Sequence, residues 1–150
     1  DVCSSDLSDG AAALTLMMAD QAKVQGLKPI ALIRGYDQVS HQPEWFTTAP
    51  VSAINKTLER VGWSVEDVDL WEINEAFAVV AMAAMHELGI SHDRLNINGG
   101  ACALGHPIGA SGARIIVTLI HALQQRGASK GIASLCIGGG EATAIAIELL

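Results

Sequence analysis

Residues 99–126 read GGACALGHPIGASGARIIVTLIHALQQR, a glycine-rich loop that runs directly into a long helical pattern. From Pro107 to Arg126 apolar residues recur at helical spacing, and Gly127 supplies a stop signal. A short strand is expected just before the loop, at residues 95–98. Strand, loop and helix in this order form the repeating unit of α/β proteins.

The same alternation extends outward from this stretch. Helices are predicted from Pro50 to Gly62 and from Asn74 to Gly89, with Asn74 placed as a helix cap. Further strands are predicted at residues 30–39, 68–73, 131–137 and 142–149. This order predicts an α/β domain over residues 28–150, with a mixed, mostly parallel five-stranded sheet whose last two strands are antiparallel.

Residues 1–27 fall outside that alternation. Residues 8–27 hold an apolar run and a short helical pattern up to Gly26, and we interpret them as the remnant of a preceding domain. The first seven residues, DVCSSDL, are interpreted as a non-native sequencing-adapter translation, which makes Cys3 an artefact. Such a segment is left out of the fold prediction.

Composition excludes several classes of function. The formal net charge is -7 and no basic stripe occurs, so we expect no nucleic-acid partner. The longest apolar run, residues 76–85, is short for a membrane span, which needs about 20 residues, so we expect no membrane partner. Three cysteines without paired spacing fit a reducing, cytoplasmic setting, and the scattered histidines predict no metal site.

Three short motifs carry reactive or polar groups at junctions between elements. His106 lies in the GHP turn at the start of the long helix, where it could hold a thiolate or donate to an oxyanion. A phosphate cradle and simple helix packing are the alternatives for this loop. Cys136 precedes the triple-glycine turn at residues 138–140, and glycines leave a backbone N–H open to a substrate oxygen, although a buried structural cysteine is the usual occupant of such a strand. Asn74 could fix a water near His106 or only cap its helix.

Together NEAFA (residues 74–78), GGACALGHPIGASGAR (99–114) and CIGGG (136–140) resemble the C-terminal part of the thiolase family, specifically of its acetyl-CoA acetyltransferases. The resemblance implies one half of a five-layered αβαβα arrangement. It also implies reversible Claisen condensation of acetyl-CoA to acetoacetyl-CoA, or thiolysis of 3-ketoacyl-CoA. Coenzyme A thioesters would then be substrates, with no tightly bound cofactor.

The same resemblance implies a role for each motif residue. His106 would activate a nucleophilic cysteine and form one oxyanion hole with a water held by Asn74. Cys136 would be the acid/base cysteine, and the Gly138 N–H would contribute to a second oxyanion hole. The nucleophile itself would belong to a missing N-terminal half, which would leave this fragment inactive. The intact protein would be a homodimer or homotetramer.

Two stretches depart from common family patterns, FTTAP at residues 46–50 and Glu141-Ala142 after the glycines. We expect Phe46, Ala49, Pro50 and Ile108 to line the substrate channel. Ketosynthases of the same fold are an alternative, but they usually carry a second histidine where this chain has Asn74, and a lysine shortly before the GH pair. An inert structural or dimerisation fragment is the other alternative.

Overall fold

The computed structural model describes residues 7–150, so the interpretation of the N-terminal adapter segment and of Cys3 lies almost entirely outside the described residues. The chain contains five α-helices and four strands within that range. The helices are α1 (Ala19–Val24), α2 (Ala49–Val61), α3 (Ala78–Leu88), α4 (Ala101–Leu104) and α5 (Ile108–Arg126). The strands are β1 (Ala31–Ser40), β2 (Leu70–Ile73), β3 (Lys130–Cys136) and β4 (Glu141–Leu149).

The helix ends follow the sequence signals closely. Helices α2, α3 and α5 stop at Gly62, Gly89 and Gly127, and all three glycines adopt the left-handed conformation that ends a helix. Pro50 lies in the first turn of α2, where its missing N–H leaves no hydrogen bond unmade. These three predicted helices are therefore present, with small differences at their first residues.

The four strands form one mixed sheet in the order β1-β4-β3-β2. Strands β3 and β4 are antiparallel, as predicted, and β1 lies antiparallel to the other side of β4. Only β2 and β3 run parallel, with Ile73 opposite Ser134 at their carboxyl ends. The α/β class is confirmed, but the expectation of a mostly parallel sheet is wrong, because β1 returns to pair with the last strand.

The predicted fifth strand at residues 95–98 is reduced to one bridge, between Leu95 and Trp71. Asn96 has a positive φ of 47°, which turns the chain out of extended geometry directly after the bridge. Its side chain then bonds to Ile73, accepting the N–H and donating to the carbonyl, each at 2.9 Å. A side chain therefore replaces the backbone ladder that a fifth strand would have formed.

Two apolar clusters place helices on both faces of the sheet. One cluster joins α2 and α3 to the face that carries Trp71, Ile73 and Ile132. The other joins α5 to the opposite face through Leu70 and Ala133. The result is three layers, helices over sheet over helix, with the carboxyl ends of β2 and β3 on one edge.

Part of the apolar surface is uncovered. Val79 and Met82 of α3 are 51% and 63% exposed, and Leu16 and Met18 in the segment before α1 are also exposed. Within residues 7–150, no helix combines the length and apolar character needed to cross a bilayer.

Candidate active site

His106 lies in the turn between α4 and α5, with Gly105 before it and Pro107 at the N-cap of α5. Its imidazole is half-buried and contacts a side chain on each ring nitrogen. Nε2 is 3.4 Å from Nδ2 of Asn74, and Nδ1 is 2.6 Å from Oγ of Ser111. The structure thus brings two of the sequence-predicted site residues into direct contact.

Asn74 is held at the end of β2 and is 1% exposed. Its N–H donates to the Ser134 carbonyl at 2.9 Å, which extends the parallel pairing of β2 and β3 by one step. The expected role as a helix cap is wrong, because α3 begins four residues later and its N-cap is Phe77. The side chain is instead turned toward His106.

The amide oxygen of Asn74 is buried and has no hydrogen-bond partner among residues 7–150. A buried acceptor without a donor costs free energy unless a water or ligand supplies one. The oxygen belongs to the same amide that faces His106, so a donor bound there would lie near the imidazole. This orphaned oxygen marks a polar position beside the histidine.

Cys136 ends β3 and is 7% exposed. Burial raises the pKa of its thiol, so the group is protonated at neutral pH. Because Ile73 and Ser134 pair at the carboxyl ends of parallel strands, Asn74 and Cys136 leave the sheet at the same edge. Gly138 lies exposed in the turn that follows, and nothing in the described chain beyond its neighbours lies within 4 Å of where a Cβ would be.

The electrostatics around His106 favour its neutral form. Burial lowers its pKa, and the positive charge of Arg114 on α5 lowers it further. Arg114 also pairs with Glu72 at 3.5 Å, a carboxylate that is 2% exposed on β2. Burial outweighs the attraction of Arg114, and the nearby charge of Glu75 acts in the same direction as burial, so the pKa of Glu72 is raised to about 7.

Sequence reasoning missed the residues that hold the histidine loop in place. Glu75 accepts from the Asn96 amide at 2.8 Å and from the Cys102 N–H at 3.1 Å. A Cβ at Gly100 would overlap the same carboxyl group, so the loop must pass close to it. The signal available in the sequence was the glutamate that follows Asn74 in the NEAFA motif. Cys102 is exposed, and its thiol donates to the backbone carbonyl of Glu75 at 3.8 Å.

The predicted channel residues fall into two separate places. Ala49 and Pro50 are buried at the start of α2, and Phe46 packs on that core with its ring 6.0 Å from the Phe77 ring. Ile108, in contrast, is 67% exposed in the first turn of α5. Their role in binding substrate stays a prediction.

An open cleft of about 330 Å³ lies between residues 8–12 and residues 107–110. Gly10 lies so close to the GHP turn that a Cβ there would be 2.7 Å from Cγ of Pro107. The segment before α1 therefore packs on the turn that carries His106. Within residues 7–150, no group of three or more His, Cys, Asp or Glu side chains is placed to hold a metal ion.

Residues 27–149 match the family model described as thiolase, C-terminal domain. The chain belongs to the thiolase family. The resemblance drawn from the three motifs is thereby confirmed. The contact of Asn74 with His106 is accordingly a contact between residues of the NEAFA and GHP motifs of a thiolase domain.

Known thiolases resemble this chain over nearly all of its length. An acetyl-CoA acetyltransferase of Chromobacterium violaceum is 54% identical over 145 residues, which are 97% of this chain and 37% of that protein. The cytosolic acetyl-CoA acetyltransferase of Mus musculus is 48% identical over 97% of the chain and 36% of its own length. The crystal structure of the Bacillus anthracis acetyl-CoA acetyltransferase superposes with a TM-score of 0.95 at 51% identity, over 98% of this chain and 37% of that one. This thiolase chain therefore spans little more than a third of the relatives that it matches.

Proposed function

We propose that this chain is the C-terminal part of an acetyl-CoA acetyltransferase, which condenses two acetyl-CoA molecules to acetoacetyl-CoA and coenzyme A, or runs the reverse thiolysis on 3-ketoacyl-CoA. The observation that carries the proposal is the contact between Asn74 and His106, with an unpartnered amide oxygen beside the imidazole. The names and high identity of the relatives support the acetyl substrate.

His106 is proposed to accept the proton of a nucleophilic cysteine, whose sulfur then attacks the thioester carbon. A lowered pKa suits this step, because a neutral imidazole has a ring nitrogen free to take the proton. The imidazolium so formed can donate to the thioester oxygen as negative charge develops there. A water on the Asn74 oxygen would give the second donor of that oxyanion hole.

Cys136 is proposed to move protons at the second carbon centre. Because the pKa of Cys136 is raised, its sulfur keeps a proton at neutral pH. This proton can pass to the departing coenzyme A thiolate. The Cys136 thiolate left behind takes a proton from the methyl group of the second acetyl-CoA. The resulting enolate attacks the acyl group on the nucleophile, and that sulfur leaves as the carbon-carbon bond forms. The Gly138 N–H would stabilise the enolate or tetrahedral oxygen.

The nucleophile is proposed to lie in an N-terminal half outside this chain, so the 150-residue chain alone would be inactive. Neither Cys102, tied to Glu75, nor Cys136, with its acid/base role, is assigned to it. We further propose a cytoplasmic protein, supported by the mouse relative named as cytosolic. A homodimer or homotetramer is proposed for the intact protein, to be tested by its mass in solution.

The experiment that tests the function is an assay of the complete protein with acetyl-CoA and with acetoacetyl-CoA plus coenzyme A. Both directions should be catalysed, and the 150-residue chain should catalyse neither. A complete protein that releases no coenzyme A from acetyl-CoA and cleaves no 3-ketoacyl-CoA would refute the proposal. Decarboxylative condensation of malonyl thioesters instead would favour a ketosynthase.

A further inference from the structure

Ser111 has no exposed surface and lies one turn into α5, where its Oγ touches two groups. One is Nδ1 of His106 at 2.6 Å, and the other is the carbonyl oxygen of Pro107 at 3.0 Å. The contact with the carbonyl four residues earlier is the usual intrahelical bond of a serine hydroxyl. Both contacts lie within residues 106–111, so they are local to the GHP turn and the first turn of α5.

The single hydroxyl proton of Ser111 decides where the proton of His106 lies. A carbonyl oxygen can only accept, so the Ser111 hydroxyl donates to Pro107. Its oxygen then accepts, and the donor must be an N–H at Nδ1 of His106. A neutral imidazole carries one N–H, which leaves the lone pair on Nε2. The Asn74 amide N–H faces that lone pair at 3.4 Å, in agreement with this assignment.

We propose that Ser111 is a positioning residue that holds neutral His106 with its proton on Nδ1, so that Nε2 is free to take the proton of the nucleophile. The catalytic part of this inference rests on the proposed function, whereas the position of the proton does not.

The acceptor role of Ser111 also suits the charged form of His106. An imidazolium donates from both nitrogens, and the Nδ1–H bond to Ser111 needs no change when Nε2 gains its proton. The Ser111 contact can therefore stay unchanged while the ring acts first as a base and then as an oxyanion donor, whereas the Asn74 amide nitrogen loses its acceptor once Nε2 is protonated. A serine that donated to Nδ1 would have to reverse its hydroxyl at this step.

The opposite placement of the proton, with Ser111 as the donor to His106, would give a different and observable arrangement. If Ser111 donated to Nδ1, the proton would lie on Nε2 and would face the Asn74 amide nitrogen, two donors in contact. The Asn74 amide would then have to be turned by 180°, with its oxygen toward the ring. Hydrogen positions distinguish the two arrangements, and nitrogen NMR reads them directly.

The experiment is magic-angle-spinning NMR of the complete protein labelled with ¹⁵N-histidine at pH 8, with His106→Asn to assign the signals of His106. The expected spectrum shows a protonated Nδ1 and an unprotonated Nε2. In Ser111→Ala we expect the ratio of the two tautomers to move about five-fold toward Nε2–H. Ser111→Thr keeps the hydroxyl and should restore the original ratio.

Gly112→Ala is the matched control, because it adds a methyl to the next position of α5, where the nearest atom is Cδ2 of Leu135 at 3.9 Å. It should leave the tautomer and the activity unchanged. In Ser111→Ala, kcat of both half-reactions should fall about ten-fold, with KM little altered.

A wild-type spectrum with the proton of His106 on Nε2 overturns the proposal, even if no variant folds. An unchanged tautomer in a folded Ser111→Ala variant overturns it as well. A protein with the expected tautomer but no thiolase activity would refute only the proposed function.

Discussion

The Glu75 carboxylate accepts the backbone N–H of Cys102 at 3.1 Å, so the end of β2 is fastened to the loop that carries His106. The side-chain amide of Asn96 donates to the other carboxylate oxygen of Glu75, and its oxygen accepts the backbone N–H of Ile73. Three stretches that are separate in sequence are thereby joined at one edge of the sheet. The position of the imidazole depends on this junction as well as on its own helix.

Gly100→Ala should destabilise the protein by about 1–3 kcal/mol, because its Cβ would overlap the Glu75 carboxyl group. Urea unfolding measures the effect. The loss should shrink in a Glu75→Ala background, where the overlapping group is gone. Gly112→Ala, whose methyl has room, is the matched control and should not destabilise. Equal losses in the presence and absence of Glu75 would contradict the assigned contact.

Cys136→Ser should abolish condensation in the complete protein while largely sparing acylation of its nucleophile. A serine hydroxyl is too weak an acid to replace the thiol, so kcat for condensation should fall on the order of a hundredfold or more. Mass spectrometry of the acetylated enzyme measures acylation separately. A loss of acylation as large as the loss of condensation would show that Cys136 has a different role.

His106→Ala should depress both half-reactions, because one imidazole serves the nucleophile and the oxyanion in turn. A loss on the order of a hundredfold or more is expected in each. Single-turnover acylation and steady-state thiolysis are the two measurements. Unchanged thiolysis in this variant would remove His106 from the proposed site.

Glu72 should make stability fall as the pH rises toward and above neutrality. Its pKa of about 7 lies above the ordinary value of 4.5, so the folded state binds the proton more tightly than the unfolded state does. Its contribution is fully present below pH 4.5 and is lost as the pH rises through 7. The difference corresponds to on the order of 3 kcal/mol.

Glu72→Gln should flatten this part of the stability curve, measured by urea unfolding between pH 4.5 and pH 8. The exposed Glu66 offers a matched control, since Glu66→Gln changes the same charge outside the core. A variant whose pH dependence equals that of the wild type would show that Glu72 titrates normally in the folded protein.

The 150-residue chain by itself should self-associate, because Val79 and Met82 leave an apolar strip on α3 exposed. Light scattering should give a mass above that of one chain. The double variant Val79→Gln/Met82→Gln should lower that mass, whereas Leu150→Gln, at an exposed apolar residue of the C-terminus, should not. A clean monomer of the unaltered chain would contradict this prediction.

Local signals were sufficient for most helices and strands. The glycines after α2, α3 and α5 ended those helices as predicted, because a left-handed residue is favoured by glycine whatever lies around it. The GHP turn and the cysteine before the triple glycine were likewise placed at element ends by their own neighbours. These features depend on a few consecutive residues, so they can be predicted from the sequence.

The predictions of a helix cap at Asn74 and of a strand through Asn96 were wrong for a different reason. Asn74 has the side chain of a helix cap, but its N–H bonds to Ser134, sixty residues away, and its amide faces His106. Asn96 stands in the alternating stretch LNIN, residues 95–98, which is typical of a strand, but it turns the chain and bonds to Ile73. In both cases a partner distant in sequence outweighs the local preference.

The sequence by itself determined the α/β class, the glycine-terminated ends of three helices and the motifs of a thiolase domain, because periodicity, glycine stops and short motifs are properties of neighbouring residues. Only the tertiary structure decided the strand order, in which Ala31 pairs with Leu149. It also decided that the Asn74 amide lies against Nε2 of His106. Such contacts are set by packing between distant parts of the chain, where burial and hydrogen bonding compete with local conformational preference.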